Sequence, residues 1–214
     1  MQKKRAVLFD FDGTLADSIG IWIEVVEQLL KEGLGLKETV GRDELVGLRK
    51  EGIYQAIKKM GIPFYDLLRL VYKGRQSFCK RIDEVVPVRG IPDLLQWLKR
   101  ENYLVGVVTS NSAECVRRFL LKNNMNVFDF MRCGVHLFGK KRVLEGAVRK
   151  LGLDRNEVIY VGDEIRDIEA AKDTGIKIIA VTWGFNTEDA LCRFNPDYIA
   201  RDPRDIRLIV SVLN

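Results

Sequence analysis

VLFDFDGTLADS, running from Val7 to Ser18, carries more structural information than any other segment of the chain. The apolar run Ala6 to Phe9 has the composition of a short strand buried on both faces, the kind found in parallel sheets. It stops at Asp10, and Asp12-Gly13-Thr14 follows. Residues two apart on an extended chain point the same way, so Asp10 and Asp12 can share one site across Phe11, while Gly13 lets the backbone turn. In open α/β sheets the crevice beyond the strand C-termini is where ligands bind. Taken alone, an Asp-x-Asp-Gly sequence serves equally well as an acidic loop leading into a helix, so its chemistry is judged together with the rest of the chain.

At 214 residues the chain can bury one large core, or one core with a smaller companion domain. With 47% hydrophobic and 30% charged residues it has the make-up of a soluble globular protein, and no apolar run reaches the 18 residues of a membrane-helix candidate. The opening MQKKRAVLFDFDG offers an apolar run of only four residues before Asp10, too short for a signal-peptide core, and a cytoplasmic location is expected. Cys79, Cys115, Cys133 and Cys192 lie far apart and His136 is the only histidine, which argues against zinc and against a disulfide framework. The net charge of +5 arises from 35 basic against 30 acidic residues in short clusters. That pattern fits solvated faces with a mild pull on anions, not a nucleic-acid surface.

After Ser18, apolar residues Ile19, Trp22, Ile23, Val26, Leu29 and Leu30 recur at helical spacing, with Asp17 or Ser18 as cap and an end near Gly33 to Gly35. Leu45, Leu48, Ile53, Ile57 and Met60 predict a second helix, and Leu67, Leu68, Val71, Tyr72, Phe78 and Ile82 a third. Residues 16–87 therefore read as an all-helical insertion without a clear strand. From Pro87 onward, helices and strands alternate. Helices are expected around 94–98 and over 113–122, 143–151, 165–174 and 203–213. Strands are expected over 103–108, 157–161, 177–181 and 197–200, with a weaker one near 131–135. This succession predicts an α/β fold, a doubly wound parallel sheet with helices on both faces.

Three further stretches fall where ligands gather. The strand ending at Val108 runs into Thr109-Ser110-Asn111, hydroxyls and amides at a helix N-terminus that favours an anion, although the same residues are ordinary caps. The strand ending at Val161 runs into Gly162-Asp163-Glu164-Ile165-Arg166-Asp167. Asp163 and Asp167, four apart, can face the crevice beside Asp10, or can simply complement the helix dipole. Lys140, in Phe138-Gly139-Lys140, precedes the helix before that strand, and with Lys141 and Arg142 beside it could equally be a surface charge.

Together these four stretches resemble the motifs of the haloacid dehalogenase superfamily, in particular phosphatases of the phosphoglycolate phosphatase and β-phosphoglucomutase-like type. D-F-D-G-T-L resembles the first motif, V-V-T-S-N the second, Gly139-Lys140 the third and G-D-E-I-R-D the fourth, in the family's order and over nearly the whole chain. In relatives such as phosphoserine phosphatase the third-motif lysine stands 23 residues before the fourth-motif aspartate, the separation of Lys140 from Asp163 here; Lys141 is the fallback.

The resemblance implies a Rossmann-like catalytic core, residues 1–15 and 88–214, with a helical cap over 16–87. It implies Asp10 as nucleophile, Asp12 as general acid and then base, and Mg²⁺ held by Asp10, the Asp12 backbone carbonyl and Asp163. Thr109 and Lys140 would bind the phosphoryl group, with Asp167, Ser110 and Asn111 in support. The dehalogenases that name the superfamily lack an aspartate two after the nucleophile, having no leaving alcohol to protonate, so Asp12 favours phosphoryl transfer. The expected function is Mg²⁺-dependent hydrolysis of a small phosphorylated metabolite through an aspartyl-phosphate, by a monomer or homodimer with neither membrane nor nucleic-acid partner. An intramolecular phosphomutase and a non-catalytic phospho-accepting module are the alternatives. Val46-Gly47-Leu48-Arg49-Lys50-Glu51 resembles the cap segment that β-phosphoglucomutase-like relatives lower onto the substrate. Arg49 and Lys50 are accordingly candidate substrate contacts, or else the exposed face of a helix.

Overall fold

The computed structural model describes residues 5–31, 47–50, 64–134 and 139–213. Strand β1 (Ala6–Phe9) is followed by the two-residue strand β2 (Ala16–Asp17), helix α1 (Ile19–Lys31), a 3₁₀ turn at Leu48–Lys50, helix α2 (Phe64–Lys80) and the two-residue strand β3 (Val86–Pro87). Helices and strands then alternate: α3 (Ile91–Arg100), β4 (Leu104–Val108), α4 (Ala113–Lys122), β5 (Phe130–Arg132), α5 (Lys140–Leu151) and β6 (Val158–Gly162). The chain continues with α6 (Ile165–Thr174), β7 (Lys177–Val181), α7 (Glu188–Cys192), β8 (Tyr198–Ala200) and α8 (Pro203–Val212).

Six strands form one parallel sheet in the order β5-β4-β1-β6-β7-β8. The chain builds outward from β1 on the β4 side, then crosses to build outward on the β6 side. The reversal leaves a crevice at the C-terminal ends of β1, β4 and β6, where open sheets of this kind take their ligands. Both faces of β1 are buried. Val7 and Phe9 join Val105, Val107, Ile159 and Val161 on one face, and Ala6 and Leu8 join Val108, Val158 and Tyr160 on the other. A strand so covered has no solvent side to mark with polar residues, which is why it reads as an unbroken apolar run. Leu98 of α3, Phe119 of α4 and Ile206 of α8 pack on the first face; Leu144 of α5 and Ile168 of α6 pack on the second.

The insertion after β1 begins and ends side by side. β2 and β3 pair antiparallel, Ala16 with Pro87 and Asp17 with Val86, so the expectation of no strand in this region needs correcting. Two-residue strands are too short to leave any periodicity in a sequence. Within the insertion α1 and α2 meet through Trp22 and Phe78, stacked with centroids 4.4 Å apart and planes at 6°. Phe78, Val25 and Leu29 also belong to the core cluster that contains β1, so these helices are packed on the sheet domain itself. Most of the helix expected over 45–60 lies outside the described residues.

Elsewhere the differences are local. α5 starts at Lys140, earlier than expected, because its first turn is basic and hides the apolar period. β5 lies at Phe130–Arg132 and not over 131–135, of which residue 135 is outside the described part. α7 was not expected; its five residues are held by the Thr187 hydroxyl, which accepts from the Ala190 N–H. The Ser18 carbonyl accepts the first bond of α1 from the Trp22 N–H at 2.9 Å, but its hydroxyl turns back to accept from the Gly13 N–H at 3.2 Å. Ser18 thus closes the loop that carries Asp12. Among the described residues no helix is long and apolar enough to cross a membrane.

Phe78 is fully buried between the two inserted helices and the core. Phe78→Ala should cost about 3–5 kcal/mol of unfolding free energy, measurable as a lower midpoint in urea.

Candidate active site

Every described group of the site stands at the C-terminal end of the sheet. Asp10 follows β1, and its N–H donates to the Val161 carbonyl at 2.8 Å, so the adjacent strand fixes its backbone. One carboxylate oxygen accepts from the Phe11 N–H at 2.8 Å, and the other accepts from Lys140 Nζ at 2.8 Å. Phe11 turns into the core, edge-on to Phe119 at 5.0 Å, which leaves Asp10 and Asp12 on the crevice side. Lys140 reaches in from the first residue of α5, is itself buried, pairs also with Asp167, and lies 5.5 Å from the centroid of the Tyr160 ring. The second oxygen of Asp167 accepts from the N–H groups of Asp163 at 3.1 Å and Glu164 at 3.0 Å, capping α6. Asp163 accepts from the Thr14 hydroxyl at 2.7 Å and from the Phe185 N–H at 2.6 Å. Ligand oxygens of Asp10, Asp163 and Asp167 lie within 4.8 Å of one another.

Glycines make room for this cluster. A Cβ on Gly13, whose φ is +71°, would stand 2.3 Å from Asp163 Oδ2. One on Gly162 would stand 2.4 Å from Asp167 Oδ2, and one on Gly184 2.0 Å from the Asp163 Cβ.

Asp12 is half-buried and held from both sides. Trp22 Nε1–H donates to one oxygen at 3.0 Å and the Asn111 amide donates to the other at 3.0 Å. Asn111 is oriented in turn by its N–H, which donates to the Thr109 hydroxyl at 3.0 Å, and by its side-chain oxygen, which accepts from the Ser112 N–H at 2.8 Å. Thr109 is buried at the end of β4, and Ser110 beside it is half-buried. Of the two adjacent lysines only Lys140 enters the cluster; Lys141 is exposed, 3.7 Å from Asp173.

Arg49 and Lys50 are not in the cluster. The Arg49 guanidinium donates to the carbonyls of Phe185 at 2.9 Å and Gly184 at 3.0 Å, its own carbonyl accepts from the Thr187 N–H and the Asn186 amide, and Lys50 is exposed. Val46 and Glu51 of that segment lie outside the described residues. Sequence reasoning missed Thr14, the Trp22 indole N–H, and the loop Trp183-Gly184-Phe185-Asn186. Trp22 was read only for its apolar period. The loop follows β7, so extending the strand-end argument to one more strand would have pointed to it.

The model of the haloacid dehalogenase-like hydrolases matches residues 7–181. The chain belongs to this family. It is 30% identical over 210 residues to the phosphoglycolate phosphatase of Synechococcus elongatus, covering 98% of each chain. It is 29% identical to the N-acetylmuramic acid 6-phosphate phosphatase of Pseudomonas aeruginosa, covering 94% of this chain and 92% of that one. Among solved structures, a haloacid dehalogenase-like hydrolase from Streptococcus pneumoniae superposes with a TM-score of 0.79 at 25% identity, covering 98% of this chain and all of the other. The chain is a phosphatase of this family.

The phosphatase concentrates unbalanced charge in its crevice. Burial raises the Asp10 carboxyl to about 7 despite the opposing pull of Lys140. Burial, reinforced by Glu164, Asp10 and Asp167, holds Asp163 well above the ordinary carboxylate range, against the Phe185 N–H bond. Burial works against the charge on Lys140, but Asp10 and Asp167 more than offset it and hold the ammonium above its usual value. Lys140 pairs with Asp10 and Asp167 while Asp163 accepts from neutral donors, the Thr14 hydroxyl and the Phe185 N–H, a surplus of acidic groups that a further cation would relieve. Their oxygens form a hard donor set suited to a divalent ion of the Mg²⁺ type.

Gly184→Ala should force the loop off Asp163, lowering stability by about 1–3 kcal/mol and activity with it. A thermal melt and a phosphatase assay on the same preparation check this.

Proposed function

We propose that the protein is a Mg²⁺-dependent phosphatase of small phosphorylated metabolites that works through an aspartyl-phosphate on Asp10. What supports this most is the buried Asp10–Lys140–Asp167 chain at the end of the first strand, with Asp12 oriented two residues on. Asp10 attacks phosphorus, the bond to the leaving oxygen breaks, and Asp12 gives that oxygen its proton. Burial raises the Asp12 carboxyl above its ordinary value, while the bonds from Trp22, Asn111 and Ser18 pull it back. In the second step Asp12 takes a proton from the water that opens the aspartyl-phosphate. Lys140 offsets the repulsion between Asp10 and an incoming phosphate dianion, and Asp167 holds Lys140 in place.

Thr109 and Lys140 bind phosphoryl oxygens, with Ser110 and Asn111 in support. Mg²⁺ would be held by Asp10, Asp163 and the Asp12 carbonyl, and when bound it neutralises phosphoryl charge and orients the group for in-line displacement. Residues 1–15 and 88–214 form the catalytic core in this reading and residues 16–87 the cap. Phosphorylated metabolites are the substrate class because the relatives carry names of that kind, phosphoglycolate phosphatase and N-acetylmuramic acid 6-phosphate phosphatase.

Asp10→Asn should abolish turnover of p-nitrophenyl phosphate while circular dichroism shows a folded protein; near-normal turnover would overturn the assignment of the nucleophile. EDTA should remove activity, Mg²⁺ should restore it, and Ca²⁺ should restore little. Ca²⁺, larger and with a looser, higher-coordinate shell, would hold the reacting groups less tightly in line. Full activity in excess EDTA would rule out the metal.

A further inference from the structure

Arg49 grips four consecutive residues of the loop after β7. Its Nε donates to the Phe185 carbonyl at 2.9 Å and a terminal nitrogen to the Gly184 carbonyl at 3.0 Å, while its own carbonyl accepts from the Asn186 amide and the Thr187 N–H, both at 3.0 Å. A guanidinium suits this task, because its planar fork reaches two adjacent carbonyls at once. The side chain read from sequence as a substrate contact is thus engaged with the backbone.

The same loop wraps Asp163. The Gly184 carbonyl and the Phe185 N–H belong to one peptide group, and that N–H donates to Asp163 Oδ2 at 2.6 Å. A cation therefore sits on the oxygen end of this peptide and a carboxylate on its hydrogen end. Each polarises the group toward the other, which makes the amide a stronger donor to Asp163 than it would be alone. A Cβ on Gly184 would stand 2.0 Å from the Asp163 Cβ, so the peptide lies directly against that side chain. Asn186, fully buried, completes the frame: its N–H donates to the Asp163 carbonyl at 3.2 Å, and its side-chain oxygen accepts from the Ile165 N–H at 2.9 Å, at the start of α6. Main chain and side chain of Asp163 are both held by residues that Arg49 holds.

We propose that Arg49 is a positioning residue for the metal site: it sets Asp163 through the 184–185 peptide, so that docking of the inserted segment 47–50 and binding of Mg²⁺ favour each other. This role rests on the Mg²⁺ site proposed above. Hydrogen-bond partners of a ligating carboxylate are typically worth about 10- to 100-fold in metal affinity. Linkage is reciprocal, so bound Mg²⁺ should steady the segment by the same factor. Two measurements on the full chain, without substrate, test the role. Calorimetric titration with Mg²⁺ should give an affinity at least about tenfold lower for Arg49→Gln than for wild type. Arg49→Lys, whose single ammonium cannot fork across both carbonyls, should fall between the two. Hydrogen exchange of the wild type should slow in segments 47–50 and 183–187 when Mg²⁺ is added. In metal-free Arg49→Gln the 183–187 amides should exchange faster, while those of β1, β4 and β6 keep wild-type rates.

Equal Mg²⁺ affinity in wild type and Arg49→Gln overturns the role, and a raised KM for phosphomonoesters in that variant would then make Arg49 a substrate contact instead. Faster exchange spread evenly over the sheet strands overturns it too, by making Arg49 a general structural contact. If Arg49→Gln does not fold, wild-type exchange decides alone: protection by Mg²⁺ that fails to reach segment 47–50 overturns the coupling. Wild type that hydrolyses p-nitrophenyl phosphate with Mg²⁺ keeps the phosphatase reading standing in each of these cases. If wild type takes up no Mg²⁺, the metal-dependent reading fails and the role of Arg49 falls with it.

Discussion

Three buried carboxylates in one cluster, two of them paired with the same lysine, impose the strictest demand in this molecule. An ionised carboxylate taken out of water without partners is costly, so each of the three is supplied with backbone or side-chain donors, and Asp10 and Asp167 pair with Lys140 as well. The strand ends provide them. Asp10 uses the next residue's N–H, Asp167 uses the unpaired amides at the start of α6, and Asp163 uses the loop after β7 together with the Thr14 hydroxyl. The fold's contribution to chemistry is therefore concentrated where chain segments stop being strands, since only there are amides free to face a ligand. Glycines at 13, 162 and 184 follow from the same demand, because the carboxylates occupy the space that side chains there would fill.

Much of this was legible in the sequence because the physical signal and the functional signal coincide. β1 shows as an apolar run ending in acid, and an aspartate beyond a buried strand has nowhere to point except into the crevice. The pairs Asp10 with Asp12 and Asp163 with Asp167 showed in their spacing, and the four stretches taken together separated a site from an ordinary acidic loop. What escaped were groups whose identity is local and whose partner is remote. Trp22 looks like any apolar helix residue until its indole N–H is seen to reach Asp12. Phe185 contributes only a backbone N–H to Asp163, and no side-chain pattern can announce a main-chain donor. β2 and β3 left no period to read, and the basic first turn of α5 masked its start. The order of strands in the sheet was also beyond a linear reading, as it depends on which crossover goes to which side of β1.

The insertion and the carboxylates are joined more closely than their separation along the chain suggests. Arg49 donates to the carbonyls of Gly184 and Phe185, and the N–H of the same Phe185 holds Asp163. Trp22 does the equivalent on the other side, stacking on Phe78 within the insertion while donating to Asp12. Two separate contacts thus tie the inserted helices to atoms directly bonded to acidic side chains of the crevice. A shift of the insertion would be felt at both Asp12 and Asp163.

The place of β1 in the sheet also governs how the chain can fold. The strand that bears Asp10 is made first, but its neighbours begin at Leu104 and Val158, roughly a hundred and a hundred and fifty residues later, so its pairings are of high contact order. On a ribosome it has no permanent partner until the insertion and β4 have emerged, and its other edge stays open until β6 is complete. An apolar strand waiting that long is a target for wrong pairing. The β2–β3 ribbon limits the exposure, since it closes the intervening loop at Ala16 and Pro87 and brings β4 to within a short search of β1.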